Sequence, residues 1–239
     1  MPATFPSHQG LVLPLKLWRP RWFDGVALVV GAASPDVAYA FDGSGLPVWP
    51  LSHQPVGVFL WCLPVTVLLA ALVRLAAPVV AAHLPRGGPF ALDDYGALHR
   101  SRHRWWVTVG SAVLGAASHL VLDLIEAITG PVAEVGLHLA GAFATAAVLL
   151  KVGRRRLIRR WHGPPPARTR RPLLFWAVAI GAATPMLVIT PYLPAAQLAH
   201  TTGVRLLAAV SLAMLLAAAC TTCVSQVRAA GWSRDRLPH

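Results

Sequence analysis

The chain has 239 residues, 56% of them apolar and 13% charged, and a mean hydropathy of +0.57. A soluble domain carries about 25% charged residues, so a chain with half that charge cannot cover a water-facing surface, and a plain cytosolic enzyme is excluded. The 21 Lys and Arg against nine Asp and Glu give +12. The positive charge falls in blocks between apolar runs, which is a pattern of membrane topology rather than of nucleic-acid binding.

In chain order, the start MPATFPSHQG lacks a basic region followed by an apolar core and a cleavage site, so it is expected to be retained. Gln9–Trp18 is too short to cross a bilayer and is predicted to be a re-entrant or interfacial helix. Phe23–Phe41 is barely long enough to span and carries Gly31, Pro35 and Asp36, so a broken or half-buried helix is expected there. Val56–Val80, Trp105–Ile128, Leu173–Leu193 and Val204–Val227 each meet the requirement of roughly 20 apolar residues. Pro131–Val152 does so apart from Glu134 and His138. The reading is an all-α polytopic transmembrane bundle of about six spans, within a range of five to seven. Residues 1–152 form its polar-site domain, 153–172 a basic, proline-rich loop, and 173–239 a two-helix segment with a short tail.

Orientation follows from Lys and Arg. Basic residues cluster at Lys16, Arg19 and Arg21, at Arg86, Arg100, Arg102 and Arg104, through Lys151–Arg171, and at Arg228, Arg234 and Arg236. The alternate connections, 42–55, 129–130 and 194–203, contain none. The basic segments and the C-terminus are therefore expected to be cytoplasmic, and the alternation holds only if Phe23–Phe41 also crosses. Trp18, Trp22, Trp49, Trp105, Trp106, Trp176 and Trp232 read as interfacial anchors. His99 and His103, interleaved with arginines, are expected to meet anionic lipid headgroups. Cys220 and Cys223 read as thiols packed in an apolar helix, since a zinc site needs two further ligands.

Ionisable groups inside a membrane are costly and usually face a cavity, a partner or a metal. His119 and Asp123 stand four apart, which on a helix puts both on one face. Imidazole nitrogen with carboxylate oxygen suits zinc or a similar divalent ion, and equally suits a hydrogen-bonded pair joining helices. The topology brings Asp36, His53, His138 and, with the N-terminus outside, His8 to a similar outer depth. The cluster is read as a divalent-metal site, with a structural polar cluster that fixes helix packing or binds a ligand as the alternative.

The segments FPSHQGLVLPL, GAASPDVAYAF, LSHQPVGVFLWCLP and GAASHLVLDLIEAITG, in that order, resemble the successive motifs of a bacterial integral-membrane family known as domain of unknown function 4184, over roughly the first 150 residues. That family is similar to the membrane-bound metal-dependent hydrolases. More remotely it is similar to the zinc-dependent phospholipase C and single-strand nuclease superfamily. The resemblance implies a multi-pass protein of the bacterial plasma membrane and a substrate class of phosphoesters or lipids; no nucleic-acid partner is expected, since membrane topology already accounts for the basic blocks. It implies zinc ligands at His8, Asp36, His53, His119, Asp123 and His138, with Asp36 and Asp123 as the carboxylates of catalysis. The chain departs from the family where a second histidine is replaced by Ala127, with Glu126 beside it as a substitute, and where the soluble enzymes' carboxylate is replaced by Ala142.

Overall fold

The computed structural model describes residues 4–101 and 103–234, with side chains described from Pro6 to Val227. Arg102 and Arg236, and the side chains of Arg228, Trp232 and Arg234, lie outside the described residues. The helices in chain order are α1 (Thr4–Ser7), α2 (Gln9–Trp18), α3 (Gly25–Ala33), α4 (Val48–Ser52), α5 (Leu63–His83), α6 (Trp105–Thr129), α7 (Pro131–Arg154), α8 (Leu157–His162), α9 (Pro172–Ile189) and α10 (Ala199–Arg234). A π-helical turn, Val58–Cys62, leads into α5, and 3₁₀ segments cover Asp36–Phe41, Leu92–Arg100 and Thr190–Tyr192.

Five helical stretches are long and apolar enough to cross a membrane: Val58–His83, Trp105–Thr129, Pro131–Arg154, Pro172–Tyr192 and Ala199–Val227. The chain is a multi-pass membrane protein, and Leu75, Ile128, Val132, Phe143 and Leu173, each more than 70% exposed, turn apolar side chains outward toward lipid. Trp18, Trp22 and Trp105 are likewise exposed, whereas Trp176 is half-buried against the contact of α5, α9 and α10. Cys220 and Cys223 face outward as free thiols.

The sixth apolar run is broken. It consists of α3 and the 3₁₀ segment Asp36–Phe41, joined at Ser34 and Pro35. Pro35 has no N–H to offer the Gly31 carbonyl, and that oxygen accepts from the Ser34 hydroxyl (2.8 Å) and amide (3.2 Å) instead. The carbonyls of Ala32 and Ser34 accept from His119 Nδ1 (2.7 Å) and Trp61 Nε1 (3.1 Å). Protein groups thus satisfy the freed backbone, as an interruption at membrane depth requires.

Two close backbone crossings fix the helices around this break. A β-carbon added at Gly115 on α6 would lie 2.5 Å from the Leu28 carbonyl oxygen of α3, and one at Gly31 would lie 2.6 Å from that of Ala112. On the other side, Gly10 of α2 and Gly141 of α7 meet in the same way, at 2.3 Å from the Gly141 oxygen and 2.4 Å from the Ser7 oxygen. Only residues without side chains let helix axes approach this closely. The turn between α6 and α7 is Gly130, whose φ of 82° is open to glycine and strained for other residues. The C-terminal pair packs onto the rest through Ala76, Val79, Phe175, Ala179, Ala217 and Ala218. Arg205 of α10 is held by the carbonyls of Ala40 (3.2 Å), Asp42 (2.6 Å) and Pro194 (2.7 Å).

Candidate metal centre

Asp36 opens the 3₁₀ segment after the break, and His119 and Asp123 sit one turn apart on the α6 face turned toward it. His8, between α1 and α2, comes in over the glycine crossing with α7. His53 closes α4, and His138 lies two turns into α7, beyond the Gly130 hairpin. His8, His119, Asp36 and His138 are buried, at 1, 1, 6 and 6% exposure. His53 and Asp123 are half-buried.

The structure brings five of the six residues, His8, Asp36, His53, His119 and Asp123, together in space. Asp123 lies with Oδ1 3.3 Å from His8 Nε2 and with Oδ2 3.4 Å from His119 Nε2 and 3.7 Å from His53 Nε2. Asp36 Oδ1 lies 3.3 Å from His119 Nε2 and 3.6 Å from His53 Nε2. Two overlapping triads result, His8–His119–Asp123 and Asp36–His53–His119, each with its ligand atoms within 4.8 Å of one another.

The outer ring nitrogens set the chemistry of the inner ones. His119 Nδ1 donates to the Ala32 carbonyl, so that in its neutral form the ring would offer the Nε2 lone pair to a cation held beside the carboxylates. The Ser52 hydroxyl donates its one hydrogen to Trp49 O (3.0 Å) and accepts from His53 Nδ1 (2.8 Å), which leaves His53 Nε2 in the same state. His119 Nε2 makes no hydrogen bond of acceptable geometry although two carboxylate oxygens stand within 3.4 Å. His8 stacks on His119 with ring centroids 4.1 Å apart and planes 19° from parallel, an arrangement that disfavours two imidazolium charges. Nitrogen lone pairs and two anionic carboxylates facing one small space are the donor set of a divalent cation, and the residues fit such an ion.

His138 belongs to a neighbouring group. Its Nδ1 lies 3.0 Å from both the Glu134 carbonyl oxygen and Glu126 Oε1, its buried Nε2 has no hydrogen-bond partner, and its ring meets that of His8 edge-on at 5.9 Å. Glu126, Glu134 and His138 form a third set of ligand atoms within 4.8 Å of one another. Glu126 therefore pairs with His138 across the hairpin rather than filling a place beside Asp36. Sequence reasoning missed Glu134, although its spacing of four from His138 on a helix was the available signal. It also missed Tyr39, which packs on His53 at 5.5 Å and carries His200 on its other contact at 4.5 Å. His200 thus reaches the wall of the site and not its ligand atoms.

A family model described as Domain of unknown function (DUF4184) matches residues 1–130. That stretch contains His8, Asp36, His53, His119 and Asp123, and stops short of His138. Neither the curated proteins nor the solved structures contain a match to this chain. The match covers more than half of the sequence, and the chain belongs to the DUF4184 family.

Proposed function

We propose that this protein is a metal-dependent hydrolase-like membrane protein that binds a divalent ion, zinc or a similar first-row metal, near the extracytoplasmic face of a bacterial plasma membrane. The observation that carries the reading is the pair His119 and His53, whose Nδ1 atoms are committed to Ala32 O and Ser52 Oγ while both Nε2 atoms face Asp36 and Asp123. A divalent ion at these Nε2 atoms would balance the charge of both carboxylates in a region where uncompensated charge is expensive. His8, His119 and Asp123 would hold one ion, and Asp36 and His53 would complete its environment or hold a second.

A divalent ion held by His8, His119 and Asp123 would supply Lewis-acid chemistry toward an ester or phosphoester and would favour hydroxide from water near neutral pH. The chain's own groups supply the rest. Asp123, the more exposed carboxylate, has its side chain 34% accessible and is placed to orient a nucleophile or accept its proton. Asp36 is buried and held against His119 and His53, which suits a bridging or charge-balancing role. The basic segments lie on the opposite, cytoplasmic side by the positive-inside rule. Phosphoester and lipid-like substrates are favoured by the resemblance of the family to membrane-bound hydrolases, and by a site carried among membrane-spanning helices.

The test is a screen of phosphodiester, phospholipid and acyl-ester substrates in nanodiscs at defined metal concentration, comparing the wild type with Asp123→Ala. The expected result is a chelator-sensitive activity that falls at least a hundredfold in the variant. Activity equal in both proteins, or none in protein shown to carry metal, would refute hydrolysis and leave a metal-binding or structural cluster.

A further inference from the structure

At the other end of the same helices lies a second polar region that the metal centre does not use. Thr108 and Asp123 are fifteen residues apart on α6, a distance of about 22 Å along the axis. Here Asp24 caps α3 through Val26 N (3.2 Å) and Ala27 N (3.3 Å), accepts from Thr108 Oγ1 (2.7 Å), and pairs with Arg74. Lys16 donates to the carbonyls of Pro20 (2.6 Å) and Phe23 (2.7 Å) and lies over the Trp161 ring.

Beside this network is a cavity of about 280 Å³ whose walls are mainly apolar, among them Leu13, Leu17, Val29, Val73, Leu149 and Val152. The cavity is partly open to the surface, and Val73 on its wall is 39% exposed. His103, Trp161 and His162 line both this cavity and an adjoining open basin of about 960 Å³. Arg19, Arg21, Arg100, Arg104 and Arg160 line the basin, and among the described residues no acidic side chain does. Among the described residues the arginine ion pairs are those of Arg74 and Arg156, so none of these five is neutralised. At the neck, His103 Nε2 is buried without a hydrogen-bond partner.

We propose that cavity and basin together form a binding site for an anionic phospholipid, with part of one acyl chain in the cavity and the headgroup phosphate held by Arg104, Arg160 and His103. Guanidinium groups match phosphate oxygens bidentately, and five arginines without an ion-pair partner favour an anionic headgroup over a zwitterionic one. The cavity is at the small end of ligand pockets, typically ~300–1,000 Å³, which suits a chain segment and not a whole lipid. Burial chiefly, and the Lys16 charge after it, hold His103 below its ordinary pKa, and burial chiefly, with Lys16 and His103, brings His162 down to about 4.

Binding of dioctanoyl phosphatidic acid, dioctanoyl phosphatidylcholine and glycerol 3-phosphate to the detergent-purified full chain tests the site. The acid is expected to bind at least tenfold more tightly than either of the others. Arg104→Gln with Arg160→Gln, both on exposed positions, should weaken it at least tenfold with an unchanged thermal midpoint. Leu149→Trp should abolish the preference of the acid over glycerol 3-phosphate, and Val73→Trp on the open wall gives the same reading if Leu149→Trp is unstable. Equal affinity for phosphatidylcholine would overturn the headgroup assignment, equal affinity for glycerol 3-phosphate would reduce the site to a free-anion contact, and unchanged binding in the arginine variant would overturn the proposal outright.

Discussion

Gly115→Ala separates the geometry of the helix crossing from the general tolerance of α6 for alanine. The added β-carbon would lie 2.5 Å from Leu28 O and 2.8 Å from Ala32 N, both backbone atoms that cannot rotate aside. To reach an ordinary contact of 3.4 Å, α3 and α6 must part by about 0.9 Å. Overpacking of this kind costs about 1–3 kcal/mol. The movement also stretches the 2.7 Å bond from His119 Nδ1 to Ala32 O, which is worth about 0.5–1.5 kcal/mol. Alanine returns up to about 1 kcal/mol of helix propensity. The net expectation is a loss of about 1–3 kcal/mol, together with weaker metal binding as the His119 ring loses its anchor. Gly110→Ala is the control on the same helix: nothing lies within 4 Å of its β-carbon, so stability should be unchanged or slightly raised. Thermal unfolding followed by tryptophan fluorescence, with a metal titration of each variant, makes the comparison. A Gly115→Ala protein as stable as the Gly110→Ala protein, with wild-type metal affinity, would refute the reasoning.

Further outcomes follow from the same structure. Asp24→Ala leaves Arg74 without its carboxylate partner and removes the α3 cap, and should cost about 3–5 kcal/mol, whereas Thr108→Val, which removes one of several bonds to Asp24, should cost about 1 kcal/mol; chemical unfolding of the two variants checks the order. Burial brings Lys16 from 10.5 to about 8, so between these values the unfolded chain binds the extra proton and stability rises with pH across that window; in Lys16→Met this rise should disappear from the unfolding midpoint. His162 is brought from 6.5 to about 4 by burial and the Lys16 charge, so its contribution falls as pH drops from 6.5 toward 4, and His162→Gln should lose less stability than the wild type over that interval. In a cysteine-free background, a cysteine at Ser44 should react with an impermeant thiol reagent from outside intact cells and one at Thr169 should not; the opposite pattern would invert the topology.

Much of the polar site was legible because membrane burial makes ionisable residues conspicuous. His119 and Asp123 declared themselves by helical spacing, and the Lys and Arg blocks gave the depth that grouped them with Asp36, His53 and His8; His138, read at the same depth, stands with Glu126 and Glu134 instead. The interruption at Ser34–Pro35 was readable from the proline, and the α6 boundary expected at Ile128 differs by one residue from Thr129. The spatial pairings of distant residues were not readable. Arg74 meets Asp24 fifty residues away and Thr108 meets it across eighty-four, and no local pattern announces either partner. Arg205 lay in an apolar run with nothing to indicate that it fastens α10 to the carbonyls of Ala40 and Asp42. The cavity beside Trp161 arises where α2, α3, α5, α7 and α8 meet, and periodicity along one helix carries no information about such a junction.

The most direct measurement of the central claim is the metal content of protein purified without added chelator, determined by mass spectrometry of the elements for the wild type, Asp36→Asn and His119→Gln. The account predicts about one to two equivalents of zinc or a similar divalent ion in the wild type. Both variants should lose it while keeping their helical content. Wild-type protein that is free of metal and equally stable with and without chelator would contradict it.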